Sequence, residues 1–218
     1  MIIKLIKIIK NNSTFSFIGL IMNLIFSYMF LSLWLYPQIE NIELIYNFII
    51  LLMFECIMIH TRLFMSIVGR SWSDWLSGLV FFGIFAVGFN SIVSGYQILI
   101  IYGALVLNRM LSGLLNRGKI DRRQEEIMSI VYFTVYLILI VLVAIVSAFI
   151  PKFGLTEDFL EVANYDNVKR LDAKFELIDM PHVTMCFGVL YYIALTFIDI
   201  FSILHKVKSP TTTSEISR

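Results

Sequence analysis

The spacing of the apolar runs narrows what this chain can fold into more than any other feature. Six stretches each come close to the roughly 20 residues that carry a helix across the ~30 Å hydrocarbon core of a bilayer. They are 15–36, 44–69, 75–93, 96–115, 127–150 and 181–206. Only 15% of the residues are charged and 59% are hydrophobic, whereas a soluble chain carries about 25% charge. Too little polar surface is left to cover a soluble particle. The expected fold is therefore all-α, a polytopic transmembrane helical bundle of six spans.

The boundaries come from punctuation. Pro37 closes the first span and Pro151 the fifth, while Pro181 opens the sixth, where a missing N–H costs a helix nothing. The third and fourth spans are joined by a nearly uncharged Ser94-Gly95 turn. The 75–115 region is thus either a tight hairpin of two full spans or a hairpin with one re-entrant arm. The N-terminal basic start, Lys4, Lys7 and Lys10, precedes a run too long for the apolar core of a cleavable signal, so the first span is expected to stay. Residues 1–14 read as a basic amphipathic segment on the cytoplasmic surface. Asn11 and Asn12 lie in glycosylation sequons on that same side. Residues 207–218, rich in Ser and Thr, read as a disordered tail.

Lys and Arg in short loops favour the cytoplasm. One side collects Arg70, Arg117, Lys119, Arg122, Arg123, Lys206 and Lys208 with the N-terminal lysines, and the loop over 37–43 on the other side has none. This predicts both termini inside, in a multi-pass protein of the cell membrane, with a bacterial inner membrane as the natural setting. The long segment 151–180 then lies outside as a loop or cap. Over 152–180 it holds seven acids against four bases. Thr156 before Glu157 and Asp158 has the pattern of a helix N-cap. Arg170 to Leu177 alternates charged and apolar residues, and both a half-exposed strand and an interfacial helix fit it. A segment of this length suits a lid, a partner-docking surface or a plain cap. Trp34 and Tyr36 on the outer side, and Trp72 and Trp75 on the inner side, are expected as interfacial anchors.

Ionisable and polar side chains inside spans need a reason, because each costs roughly 2.5–3.5 kcal/mol on insertion scales. The second span holds Glu55, His60 and Arg62, and the fourth holds Asn108 and Arg109. The sixth carries a polar, small-residue stripe, with Thr184, Gly188, Tyr192, Thr196 and Asp199 recurring at three- and four-residue steps. Arg62, Arg109 and Asp199 fall at a similar depth. They are expected to form an inner-leaflet polar cluster with Glu55 above them and His60 between. The plainer alternative has both arginines snorkelling to the surface and Asp199 pairing with Lys206. On this reading the second, fourth and sixth spans carry the chemistry, and the first and fifth are lipid-facing support.

No cofactor or metal is expected. Cys56 and Cys186 lie alone in apolar runs as small hydrophobes. A haem would need a second histidine at the depth of His60, and His182 and His205 sit at opposite ends of the sixth span. Gly-x-Ser-x-Gly, His-Glu-x-x-His and the P-loop are absent. With a net charge of +1 and basic residues in small groups, nothing suggests nucleic acid. The expected partners are the lipid bilayer, and a second copy or a membrane complex. Three function classes follow: a small transporter or channel-like protein using the polar cluster, a non-catalytic accessory or assembly subunit, and, behind both, an intramembrane enzyme.

Overall fold

The computed structural model describes residues 14–68, 72–93, 95–96, 99–100, 103, 122–170 and 176–208. These residues form helices and turns, with no strand among them. The long helices are α1 (Thr14–Leu35), α2 (Ile42–Val68), α3 (Trp72–Asn90) and α4 (Arg122–Ile145). Three short helices, α5 (Glu157–Val162), α6 (Tyr165–Val168) and α7 (Glu176–Asp179), lead into the long α8 (Pro181–Lys208).

Four helical stretches are long and apolar enough to cross a membrane: Ile18–Leu35, Ile39–Ile59, Ile127–Ile145 and Pro181–Ser202. They correspond to the first, second, fifth and sixth expected spans. The third expected span is helical as α3, but its apolar stretch, Leu76–Asn90, is shorter than the others. Its end is set by Asn90, whose side chain turns the chain. The amide donates to the Gly95 carbonyl at 3.0 Å, and its oxygen accepts from the Leu99 N–H at 3.3 Å. Gly95 takes φ 81°, a left-handed conformation that only glycine adopts without strain. Most of the fourth expected span, 96–115, lies outside the described residues.

The proline boundaries behave as the chemistry requires, but earlier than expected for α4. Pro151 pushes the residue before it away from helical geometry, and Ile150 is extended at φ −72°, ψ 121°. The α-helix itself ends earlier, at Ile145, and a 3-10 turn over Ser147–Phe149 lies between it and the proline.

Helix α2 is the centre of the bundle. Of its apolar window 72% is buried, against 22% in α1 and in α4. Its first half is apolar nearly all round, the pattern of a helix surrounded by others. Ile45, Tyr46, Ile49, Ile50, Leu51 and Leu52 are all buried. Helix α8 packs antiparallel to α1 along most of its length and also touches α2 and α4. The outward faces of α1, α3, α4 and α8 stay apolar: Tyr28, Ile84, Ile138 and Phe197 are all more than half exposed.

At the end where α1 and α4 finish and α8 begins, the short helices close over the bundle. Thr156 caps α5 as expected, its hydroxyl accepting from the Phe159 N–H at 3.3 Å. Leu155, Ala163, Tyr165 and Ile178 are buried and continuous with the core of the long helices. The cap is thus part of one core with the bundle. Of the alternating stretch from Arg170 to Leu177 the ends are described, with a short helix at Glu176–Asp179; 171–175 lie outside the described residues.

Candidate functional site

The polar stripe of α8 is turned inward, with Thr184, Tyr192 and Thr196 buried. It faces α1. Gly188 sits under the Phe30 ring, and a Cβ there would come within 2.7 Å of Phe30 Cγ. The glycine is what lets the two backbones approach. One turn on, Tyr192 stacks on Phe26 at 5.1 Å and on Phe30 at 5.7 Å between centroids. Thr196 is satisfied within its own helix, donating to the Tyr192 carbonyl at 2.8 Å.

Asp199 ends this seam as a clamp between three helices. Asn23 of α1 donates its amide to Oδ2 at 3.0 Å, and the Tyr132 hydroxyl of α4 donates to Oδ1. Both donors come from the helices expected to be lipid-facing support, which are mostly exposed but each turn a polar face inward as well. The inward faces of α1 and α4 are polar in part. Ser27 lies one turn from Asn23 and is buried, and Ser129, Tyr132 and Tyr136 form a buried stripe on α4. Steps of three and four residues in the sequence carry this signal, and it is legible once a helix's polar face is sought as well as its charges.

Glu55 occupies a different level. It is buried on α2, and Oε1 accepts from the Tyr191 hydroxyl of α8 at 3.3 Å. Tyr136 of α4 meets Tyr191 edge-to-face at 5.3 Å and donates to the Leu52 carbonyl of α2 at 3.1 Å. Tyr191 and Asp199 are eight residues apart on α8, so the two acids sit about 12 Å apart along the helix axis. The arrangement is two polar crossings stacked in one apolar bundle, each joining three helices. The side chains of His60 and Arg62, and the whole of Asn108 and Arg109, lie outside the described residues. So does the expected grouping of Arg62 and Arg109 around Asp199. Glu55, Tyr192, Thr196 and Asp199 are all turned toward the bundle interior.

Among the described residues no three His, Cys, Asp or Glu side chains come together in a metal-holding group. Cys56 and Cys186 are not joined in a disulfide, and both are half-buried. A surface groove on α4, lined by Leu137, Ile138, Val141, Leu142, Ile145 and Val146, is wholly aliphatic.

The cap holds the charged chemistry. Lys169 pairs with Asp166 at 2.7 Å and Asp179 at 3.0 Å, joining α6 to α7, and its ammonium lies 5.5 Å from the Tyr165 ring centroid. Partial burial works against the charged ammonium, but the hydrogen bonds and charges of the two aspartates outweigh it, and the Lys169 pKa is raised. Burial pushes the Tyr165 phenol well up, and its hydroxyl donates to the Ile178 carbonyl at 2.9 Å. A hydrogen bond from Lys152 at 2.6 Å holds the Glu157 carboxyl below its usual range. Two bonds from Arg170 tie the cap to the bundle. Its backbone N–H donates to the Tyr46 hydroxyl and its guanidinium to the Val93 carbonyl, each at 3.4 Å.

Set against protein-family models, curated proteins and solved structures, the chain matches none of them.

Proposed function

We propose that this chain is a non-catalytic integral membrane protein, an accessory or assembly subunit whose work is done by the surface of its helix bundle. Four helices of membrane-crossing length and composition support the setting. One observation carries the choice of class. The intramembrane carboxylates take part in bonds between helices, Asp199 with Asn23 and Tyr132, and Glu55 with Tyr191. Hydrogen bonds of this kind act as glue between helices in lipid, where an unsatisfied polar group is costly. The broad apolar faces of α1, α3, α4 and α8 are then left for lipid or for other membrane helices.

In this reading the chain crosses the cell membrane six times, with both termini on the cytoplasmic side and the cap outside. Thiol labelling of Gly118→Cys and Asn164→Cys from one side of sealed vesicles tests the topology. The expected result is that each labels from opposite sides, and labelling of both from the same side overturns it.

A second reading, a small transporter or channel-like protein, is favoured by one feature: both oxygens of Asp199 take neutral donors, an amide and a phenol, in a helix interior where carboxylates are commonly functional. Purified protein in proteoliposomes separates the two. Under the proposal, proton, sodium and potassium fluxes equal those of protein-free vesicles, and Asp199→Asn lowers thermal stability alone. A flux above background that Asp199→Asn abolishes would overturn the proposal in favour of transport.

A further inference from the structure

Of the two aromatic residues expected to anchor the outer end, Trp34 is otherwise engaged. It is buried, and its indole N–H donates to the Pro151 carbonyl at 3.0 Å while its own carbonyl accepts from the Gly154 N–H at 3.2 Å. Gly154 is packed against the end of α1, where a Cβ would come within 2.7 Å of Pro37 Cγ and 3.0 Å of the Leu35 carbonyl oxygen. Trp34 is therefore a joint between the ends of α1 and α4.

The joint leaves three aromatic rings on the outside of the same rim. Tyr36 is 78% exposed, Phe149 87% and Phe153 52%. Phe153 holds φ 43°, which a bulky residue adopts only under strain, and its ring stands edge-on to Trp34 at 5.0 Å. A nearly bare phenylalanine and a strained one beside it are unfavourable in water. The rim borders faces that are already apolar: Tyr28 and Leu31 are exposed on α1 below Tyr36, and Val141 and Ile145 on α4 below Phe149. In a chain that crosses the membrane, lipid meets those faces, and the rim stands at their edge.

We infer that Tyr36, Phe149 and Phe153 form a lipid-inserting rim, with their rings at the boundary between headgroups and acyl chains in the leaflet on the capped side. Tyrosine, with an apolar ring and a polar tip, favours that boundary, and phenylalanine rings are driven out of water onto its acyl side. The inference rests on the membrane-crossing reading above and adds the depth at which the chain sits. The rim borders the headgroup layer, and α5 to α7 rest at headgroup level with their exposed acids, Glu157 and Asp166 among them, toward water.

The test uses the full chain in phosphatidylcholine vesicles, in a Cys56→Ser, Cys186→Ser background, with single spin labels at Phe149→Cys, Phe153→Cys, Tyr28→Cys and Asp166→Cys. Collision with oxygen reports the acyl region, and collision with a water-soluble nickel chelate reports the aqueous phase. The oxygen-to-nickel ratio at 149 and 153 is expected several-fold above that at 166 and below that at 28. Phe149 touches little of the protein, so its variant stays informative if Phe153→Cys fails to fold. A ratio at 149 equal to that at 166 overturns the rim, because the ring then lies in water. Exclusion of both reagents from 149 overturns it too, because protein, such as a second copy, then covers it. If position 28 itself reads as aqueous, the crossing reading fails and the rim falls with it, an outcome distinct from the first two.

Discussion

The bundle and the cap are cohesive in opposite ways. In the bundle, surface and interior are both largely apolar among the described residues, and the two acids of the interior, Asp199 and Glu55, each sit where three helices meet. In the cap the surface is charged, and ion pairs and backbone bonds stitch short helices together over Leu155, Tyr165 and Ile178, which sit at the edge of the bundle's core. The difference teaches which forces each region can use. On the membrane-crossing reading proposed above, burying apolar surface gives no advantage between helices in lipid, so close packing and internal hydrogen bonds must hold them. Facing water, the cap can use burial and N-caps, while its exposed ion pairs are worth little. Substitutions in the two regions should therefore differ in size and in reach.

The largest effect is expected at the α1–α8 seam. Gly188→Val would drive a branched side chain into the Phe30 ring, which is itself fully buried. Overpacking of this kind costs about 3 kcal/mol. Thermal unfolding in detergent should show a large drop in midpoint, partly recovered when Phe30→Ala is added to make room. An unchanged midpoint in Gly188→Val would remove the seam from the account of what holds the bundle. Next comes Asp199→Leu, which strands the Asn23 amide and the Tyr132 hydroxyl in a partly buried site. Two orphaned donors there should cost about 2 kcal/mol. Tyr132→Phe in the same background should give little further loss, because its partner is already gone. Fully additive losses would mean the two residues do not act together.

The parts of this picture that were legible in the sequence were those set by composition and period. Runs of apolar residues announced α1, α2, α4 and α8, and Thr156 announced the start of α5. The stripe on α8 could be read as one face because its spacing is helical. What faced it could not. Charges drew attention to the second, fourth and sixth spans, whereas the partners of Asp199 proved to be Asn23 and Tyr132, neutral residues on helices without a charge in their interiors. An amide or a phenol costs less to bury than a charge, so its presence in a span signals less. Trp34 misled for a related reason. The same indole suits an interface or a buried hydrogen bond, and the choice depends on Pro151 and Gly154, more than a hundred residues away in the chain.

The cap offers a smaller and more local effect. Thr156→Ala removes the acceptor for the Phe159 N–H at the start of α5, a loss of about 1 kcal/mol for an N-cap. Hydrogen exchange should quicken at the amides of α5, while α1, α2 and α8 keep their protection and the unfolding midpoint barely moves. If protection fell equally in the long helices, cap and bundle would be one cooperative unit and the contrast between them would dissolve.

The smallest effect is the sharpest test of that contrast, because it touches the cap through its charges alone. Glu157 has a folded pKa below its ordinary 4.5, so its contribution is present above that value and is lost as the pH falls through the folded one. Lys169 and Tyr165 have folded pKa values above their ordinary 10.5 and 10.0. Their contributions are intact below those values and are lost as the pH rises through the folded ones. The cap should therefore be tightest from about pH 4.5 to pH 10 and loosen on either side. A spin label at Asn167→Cys on α6 should gain mobility at both extremes, and more readily in high salt, which screens exposed pairs. A label at Ile138→Cys on the aliphatic face of α4 should be indifferent to both, since nothing described on that face titrates. Mobility that rose at both positions with the same pH dependence would show that the cap's ion pairs reach into the bundle, and the division between the two regions would have to be redrawn.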